Sequence, residues 1–190
     1  MTNPRAGIIQ MCSTPDVASN LETASRLARD AAELGADIVL FPEAFSFIGP
    51  RREKAEVLEP LPAGGQILEC CRNLGREIGR ELVLGGFHEQ CEDDPTRSRN
   101  ACVHLGPDGE IRALYRKIHL FDVDLADGTR LHESAETEPG DRAVVTETTI
   151  GPLGPQCSDG EGVAVAEIDQ ARVANVRSEL PSLANRREFT

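Results

Sequence analysis

The sequence lacks any apolar run long enough to cross a membrane. No such run is longer than the one at residues 38–41, whereas a membrane-spanning helix needs about 18 or more apolar residues. The first ten residues, MTNPRAGIIQ, also lack the cationic start and long apolar stretch of a secretory signal peptide. We therefore expect a soluble, cytoplasmic protein that has no membrane partner.

Basic residues are few, and only two of them are lysines. Asp and Glu number 32 against 20 Lys and Arg, which gives a formal net charge of −12. A chain this acidic repels a phosphate backbone and can release few counterions, so nucleic acid is excluded as an expected partner. The only two lysines, Lys54 and Lys117, stand out against this background.

Metal-binding patterns are missing as well. The sequence contains neither CxxC nor HExxH, and adjacent Cys70 and Cys71 fall on different faces of a predicted helix. Without a secretory signal, free thiols are the expected state of the cysteines. We therefore predict no metal, and only Cys157 is a candidate for catalysis. The remaining cysteines match no catalytic motif and are Cys12, Cys70, Cys71, Cys91 and Cys102.

The first half of the chain alternates between helix and strand patterns. Two amphipathic stretches predict helices, one over residues 17–34 with Ser19 and Glu22 as a capping box, and one with an apolar stripe from residue 67 to 78. Short apolar, β-branched runs predict buried strands at residues 5–12, 37–41 and 81–87.

The second half begins with a predicted β-hairpin. Residues 100–105 and 110–115 flank the turn sequence Gly-Pro-Asp-Gly, which suits a tight connection between antiparallel strands. The fold class that follows is α/β, a sandwich with a mixed sheet. Beyond the hairpin we predict a polar loop at 122–141, strands at 143–150 and 162–168, and a short helix from 169.

Glu43 is the first candidate for chemistry, because it directly follows the strand at residues 37–41. Loops at the carboxyl ends of such strands are where α/β proteins build their sites. Flanking Pro42, Ala44 and Phe45 are expected to shield the carboxylate partly from water, which suits a general base. The alternative is a carboxylate at a helix start or on the surface.

Lys117 and Glu133 are two further candidates. Lys117 follows the second strand of the hairpin, where a lysine among apolar neighbours supplies positive charge to a developing oxyanion. The alternative for Lys117 is a strand-end lysine in solvent. Glu133 lies in the polar loop, and its local context alone predicts a solvated acid.

Four segments occur in a fixed order along the chain. They are FPEAF at residues 41–45, LGGFHE at 84–89, YRKIHLFDVD at 115–124 and DGEGVAVAEID at 159–169. Taken together they strongly resemble the nitrilase superfamily of carbon–nitrogen hydrolases. The resemblance covers residues 6–154 and resumes over residues 157–187.

That resemblance implies a fold, a chemistry and three site residues. The implied fold is a nitrilase-like α-β-β-α sandwich that pairs into homodimers and needs neither a metal nor an organic cofactor. The implied site is a Glu–Lys–Cys triad in which Glu43 is the base, Lys117 stabilises the oxyanion and Glu133 orders the site. The likeness is greatest to the deaminated glutathione amidases, which implies hydrolysis of a small ω-amide such as deaminated glutathione.

The nucleophilic cysteine is the point at which the sequence departs from that family. The family strand is written approximately L-G-x-x-x-C-Y-D, whereas only Pro155 and Gln156 separate Gly154 from Cys157 here. A one-residue shift turns a strand side chain to the opposite face, and Pro155 removes a donor from the strand ladder. Cys157 is therefore a poor match to the family's nucleophile.

Two interpretations of this junction remain open. In the first, CSDGEG at residues 157–162 matches the family's distal C-S-x-G-x-G turn, and a segment carrying the nucleophile has been lost after Gly154. Hydrolysis is then impaired, or the chain is an inactive remnant that acts as a binding or dimerisation module. In the second, Cys157 is itself the nucleophile.

Under the first interpretation the chain is still one carbon–nitrogen hydrolase domain over residues 1–190. Residues 1–154 form its N-terminal part, which holds the glutamate and the lysine of the triad. Residues 157–190 contribute a C-terminal strand and helix.

Overall fold

The computed structural model describes residues 4–94, 97–124, 130–142, 144, 146–148 and 162–167. Within this part of the chain, six strands form a mixed sheet and two more form a separate ladder. The strands are β1 (Arg5–Gln10), β2 (Ile38–Phe41), β3 (Glu81–Gln90), β4 (Ser98–Leu105), β5 (Ile111–Arg116), β6 (Asp122–Asp124), β7 (Arg130–His132) and β8 (Gly162–Glu167). The sheet order is β5-β4-β3-β2-β1-β8, and β6 pairs with β7.

The direction of each strand follows from how the chain connects it. β1, β2 and β3 run parallel to one another because helices carry the chain back between them, and β8 is antiparallel to β1. β3, β4 and β5 are antiparallel, and the β4–β5 turn closes with the Gly109 N–H donating to the Gly106 carbonyl at 2.9 Å. The predicted hairpin is thus confirmed.

Two amphipathic helices cover one face of the sheet. α1 (Val17–Glu33) and α3 (Gln66–Ile78) contact each other, and the short α2 (Arg51–Lys54) lies between them in the sequence. Each buried aliphatic side chain in this layer contributes roughly 1.5–3 kcal/mol relative to exposure. The core joins Leu27, Ala28, Ala31, Leu68, Cys71 and Leu74 of the helices to Val39, Leu82, Leu84, Val103 and Leu105 of the sheet.

The start of α1 differs from the prediction. The Ser19–Glu22 capping box is wrong, because the N-cap is Asp16, whose carboxylate accepts the Ser19 N–H at 3.0 Å. Ser19 is therefore already inside the first turn. Asp is as good an N-cap as Ser, and the extended backbone at residue 16 decides between them.

The start of α3 is capped from a distance. Its N-cap, Gly65, has no side chain to offer, and buried Glu59 takes that role. The Glu59 carboxylate accepts backbone N–H groups from Gly65, Ile67 and Leu68 at 2.9, 2.6 and 2.9 Å. A buried carboxylate at a helix N-terminus is stabilised by these donors and by the helix dipole.

The segment after β5 is more ordered than the predicted polar loop at 122–141. It contains β6, β7 and a 3-10 helix over Glu133–Ala135. The strand predicted at 143–150 is wrong for its described members, because residues 144 and 146–148 belong to no strand. The predicted strand at 162–168 is confirmed as β8, whereas Cys157 and the helix from residue 169 lie outside the described residues.

Candidate functional site

Glu43 sits on a strained turn at the carboxyl end of β2. The next residue, Ala44, has a φ of +57°, a left-handed conformation that costs a non-glycine residue about 1–2 kcal/mol. The Ala44 N–H donates to the Gly86 carbonyl at 3.1 Å, and Phe45 is fully buried. These two anchors hold the turn and fix the position of the Glu43 backbone.

Two glycines in β3 make room for that turn. The ladder between β3 and β4 shifts register between Leu84 and Phe87, so Gly85 and Gly86 form an irregularity in the strand. Gly86 has a φ of +62°, and a Cβ there would lie 2.4 Å from Glu43 Cγ. The LGGF sequence therefore shapes β3 around the Glu43 turn.

Lys117 lies between the two candidate carboxylates. Its Nζ is 2.9 Å from Glu133 Oε2 and 3.8 Å from Glu43 Oε1. Its own backbone is held on both sides, because its N–H donates to the Asn100 carbonyl at 2.8 Å and its carbonyl accepts the Gly140 N–H at 2.9 Å. The three site residues predicted from the sequence are therefore brought together.

Glu133 is more enclosed than its local sequence predicts. It opens the 3-10 helix after β7, and its Oε2 accepts the Phe121 N–H at 2.7 Å in addition to the Lys117 ammonium. Its side chain is only 21% exposed. The interpretation of Glu133 as a solvated loop acid is wrong, because its carboxylate is bonded to the Lys117 ammonium and to the Phe121 N–H.

Glu43, in contrast, is more open than predicted. Its side chain is 66% exposed, so the expected shielding by its apolar neighbours is wrong. The Phe45 ring packs against Phe41 in the core, with ring centroids 5.3 Å apart, and does not cover the carboxylate.

Asn100 is a site residue that the sequence reasoning missed. Its side-chain amide donates to Glu43 Oε1 at 2.6 Å and also hydrogen-bonds Glu133. Asn100 lies in β4 opposite His88 of the LGGFHE segment. Pairing the predicted strands in register would have placed this amide beside the Glu43 turn.

The hydrogen bonds fix the charge state of the Lys117–Glu133 pair. The bond to Glu133 raises the pKa of Lys117 above its ordinary value. Burial acts to raise the pKa of Glu133, but bonds from Lys117, the Phe121 N–H and Asn100 together lower it. Lys117 is therefore a stable cation near neutral pH, as an oxyanion-stabilising group needs to be.

Glu43, Lys117 and Glu133 line an open cavity of about 760 Å³. That volume is within the usual range for small-molecule sites. The described residues include no cluster of three or more His, Cys, Asp or Glu arranged to hold a metal ion. The lining is formed by Glu43, Arg51, Lys54, Lys117, Phe121, Arg130, His132, Glu133, Ala135, Glu136 and Thr137.

No described cysteine lines this cavity. The five described cysteines are free thiols, and burial raises the pKa of Cys71, Cys91 and Cys102, which disfavours the reactive thiolate. Cys12 is exposed but is not among the lining residues. The described part of the chain thus brings an acid and an amine to the cavity without a thiol.

A buried ion pair lies directly beside the site. Arg116 precedes Lys117, and its Nε donates to Glu89 Oε2 at 2.6 Å while its Nη2 contacts the other oxygen. The Glu89 side chain is 2% exposed, and that of Arg116 is 29% exposed. The pair connects β3 and β5 across β4, and it fixes the end of β5 from which Lys117 extends. The sequence reasoning did not identify it.

Comparison with known sequences identifies the family. The carbon–nitrogen hydrolase model matches residues 5–165. Human deaminated glutathione amidase is 42% identical over 140 residues, covering 72% of this chain and 42% of that protein. Omega-amidase NIT2 of Xenopus tropicalis is 34% identical over 163 residues, covering 86% of this chain and 55% of that protein. The chain belongs to the carbon–nitrogen hydrolase family, as its motifs predicted.

Solved structures agree on the fold. The Caenorhabditis elegans NitFhit protein superposes with a TM-score of 0.82 at 22% identity, covering 98% of this chain and 66% of that one. An amidase from Nesterenkonia sp. superposes with a TM-score of 0.59 at 23% identity, covering 74% of this chain and 49% of that one. The predicted nitrilase-like fold is confirmed. The chain spans about half the length of the curated relatives it matches.

No helix among the residues described by the structure is both long enough and apolar enough to span a bilayer.

Proposed function

We propose that this chain carries the acid–amine part of an amidase site for small ω-amides such as deaminated glutathione, and that its hydrolysis is impaired. The observation that carries the proposal is the position of Lys117 Nζ, 2.9 Å from Glu133 and 3.8 Å from Glu43 in a single cavity. The names of the two relatives, an amidase of deaminated glutathione and an omega-amidase, support this choice of substrate.

In an intact site each group has a defined task. A cysteine thiol gives its proton to Glu43 as its sulfur attacks the amide carbon, and Lys117 stabilises the oxyanion that forms. The C–N bond then breaks, and the leaving nitrogen takes the proton from Glu43 and departs as ammonia. Water hydrolyses the thioester, which releases the carboxylic acid and restores the thiol. The net reaction consumes one amide and one water.

Impaired hydrolysis is expected because no cysteine nucleophile is identified at the cavity among the described residues. The five described cysteines are not among the lining residues, and Cys157 follows Gly154 at a spacing that does not match the family strand. Members of a catalytic triad act as a unit, so loss of the nucleophile alone typically lowers kcat by about a million-fold. Glu43 and Lys117 would then have nothing to activate.

The position of β8 supports an internal loss. β8 pairs with β1 through six residue pairs, from Arg5–Glu167 to Gln10–Gly162, although little chain separates it from residue 148. β8 thus keeps its pairing with β1, while only residues 149–161 are left for the region expected to hold the nucleophile strand. The alternative function is a catalytically inactive remnant that acts as a binding or dimerisation module.

Ammonia release by the purified full chain tests the proposal. Deaminated glutathione and a simple ω-amide are incubated with the chain, with Lys117→Met as the site control and Cys157→Ala as the nucleophile control. We expect binding of the amide, weakened in Lys117→Met, and ammonia release at or near the uncatalysed rate. Residual ammonia release that disappears in Lys117→Met would mark an impaired amidase, whereas binding with no release above the uncatalysed rate would leave the chain as a ligand-binding remnant.

Rapid turnover that disappears in Cys157→Ala would contradict the impairment and make Cys157 the nucleophile. Mass spectrometry after exposure to fluoroacetamide gives an independent answer, since that compound adds covalently at the active site cysteine of a mutant Nesterenkonia amidase. We expect no cysteine to be labelled faster than a free thiol. Failure of every amide to bind would contradict the proposed function itself.

A further inference from the structure

The charges lining the cavity are paired, with one exception among the described residues. Lys117 is paired with Glu133, Arg51 forms an ion pair with Glu136, and Arg130 has a polar or electrostatic interaction of its own. Lys54 lines the same cavity, but its ammonium forms neither a hydrogen bond nor an ion pair with a residue in the described ranges.

The environment of Lys54 leaves its charge under-compensated. The side chain is half-buried, and burial lowers the pKa of the ammonium although Glu136 and Glu133 act in the opposite direction. A partly desolvated cation is stabilised when an anion comes into hydrogen-bond contact with it. Lys54 therefore favours a negatively charged group in the cavity.

Lys54 and Lys117 are distributed around one acid. Glu133 is bonded to Lys117 and also acts electrostatically on Lys54, so both ammonium groups border the space around it. Their settings differ, because Lys117 is bonded to Glu133 and lies beside Glu43, whereas Lys54 lines the cavity from α2 and is bonded to neither. One ligand can thus present its amide to Lys117 and a second group to Lys54.

We propose that Lys54 binds a carboxylate of the ligand, so that the cavity selects amides that carry a negative charge away from the amide. This inference rests on the proposed function for the amide end, and it assigns Lys54 as the residue that determines specificity. Lys54 takes no part in breaking the C–N bond. Its ammonium donates hydrogen bonds to the carboxylate, and the pairing offsets the cost of its burial.

Two matched probes test the assignment. Succinamate carries a carboxylate opposite its amide, and butanamide has a methyl group in the place of that carboxylate. Because Lys54 and Lys117 are the only lysines, isotope-labelled lysine gives two side-chain NMR signals for the full chain. We expect succinamate to raise the pKa of Lys54 and shift its signal, and butanamide to leave that signal unchanged.

Substitutions of Lys54 provide a second test of the assignment. Lys54→Met is expected to weaken succinamate binding roughly ten- to a hundredfold, the size of a lost charge-assisted hydrogen bond, without affecting butanamide. Lys54→Arg keeps the charge and is expected to retain most of the affinity. Arg52→Met is the control, because Arg52 lies in the same short helix but is 85% exposed and does not line the cavity.

Equal affinity for the two probes, or unchanged succinamate binding in Lys54→Met, would overturn the assignment. These readouts measure binding, so they separate this inference from the proposed function. A response of Lys54 to succinamate without ammonia release supports the inference and leaves the chain impaired. Hydrolysis of both probes at equal rates would support the amidase function and contradict the role of Lys54.

Discussion

Two neighbouring cations at the end of β5 form ion pairs of different kinds. Arg116 binds Glu89, which is 2% exposed, inside the sheet; we call these two residues the sheet pair. Lys117 binds Glu133, which is 21% exposed, at the cavity; we call these two the cavity pair. Arginine suits the sheet pair because its planar guanidinium binds both oxygens of one carboxylate. Lysine suits the cavity pair because its ammonium is a compact charge that can also interact with a ligand.

The two pairs differ in what they border: the sheet pair joins strands, and the cavity pair faces the candidate site. The sheet pair connects strands, and neither of its residues lines the cavity, whereas the cavity pair borders open space beside Glu43. We therefore expect disruption of the sheet pair to lower stability, and disruption of the cavity pair to alter titration and ligand binding more than folding.

The largest effect is expected at the sheet pair. Glu89→Ala leaves Arg116 partly buried without its carboxylate, and we expect a loss of about 3 kcal/mol in the free energy of unfolding, measured with denaturant. Glu77→Ala is the control, since Glu77 accepts the same two-bond contact from Arg29 on the surface. A control variant as unstable as Glu89→Ala would contradict the comparison.

Next in size is the glycine beneath the Glu43 turn. Gly86→Ala is expected to cost about 2–3 kcal/mol, because a Cβ there meets both Glu43 and the Ala44 nitrogen at a positive φ. Gly79→Ala has a φ of +61° but no atom within 4 Å of the new Cβ, and is expected to cost only about 1 kcal/mol. The difference between the two variants measures the contact with the turn. Equal losses in thermal or denaturant unfolding would show that the contact relaxes freely.

A smaller and pH-dependent effect is expected at the cavity pair. Glu133→Gln should lower the pKa of Lys117, seen in its NMR titration, and cost about 1–2 kcal/mol near neutral pH. The lowered pKa of Glu133 gives stability that is present above its ordinary value of 4.5 and lost as the pH falls through the folded value. The raised pKa of Lys117 gives stability that is present below 10.5 and lost as the pH rises through the folded value.

The stability gap between the wild-type chain and Glu133→Gln should therefore be widest between these two limits and narrow at both ends. A gap that does not change with pH would mean that the pair contributes nothing through its charges.

The smallest effect on folding is expected at Glu43. Glu43→Gln keeps the shape of an exposed side chain that is 3.8 Å from Lys117, so we expect a change within about 0.5 kcal/mol. Any loss should appear in binding or turnover of the amide. A large loss of stability would show that Glu43 belongs to the scaffold.

Periodicity and turn residues are sufficient to predict most of the fold as far as the β4–β5 hairpin. α1, α3 and β1 to β5 lie where apolar spacing, Pro42 and the Gly-Pro-Asp-Gly turn predict them. Other features of the fold are missed for separate reasons. Glu59 caps α3 from outside the helix, and three-residue strands such as β6 and β7 are too short for an alternating pattern to show.

The site was predictable only through its motifs. Local sequence gives Glu133 as a solvated acid and Glu43 as a shielded one, and the structure reverses both because tertiary contacts determine exposure. The sequence around Asn100 and Arg116 does not indicate their roles, since each bonds to a residue that is distant in the sequence. Lys54 was noticed for its rarity, but its unpaired charge became visible only with the cavity wall in place.

The place of β8 has a consequence for the order of assembly. β1 is among the first segments of the chain, and one of its two edges is completed only by residues 162–167. During synthesis that edge stays without its partner until residues 162–167 have left the ribosome. Pairing β1 with β8 requires closure of a loop of more than 150 residues, which makes this pairing the expected slow step of folding and leaves the unpaired edge of β1 open to strand exchange with other copies.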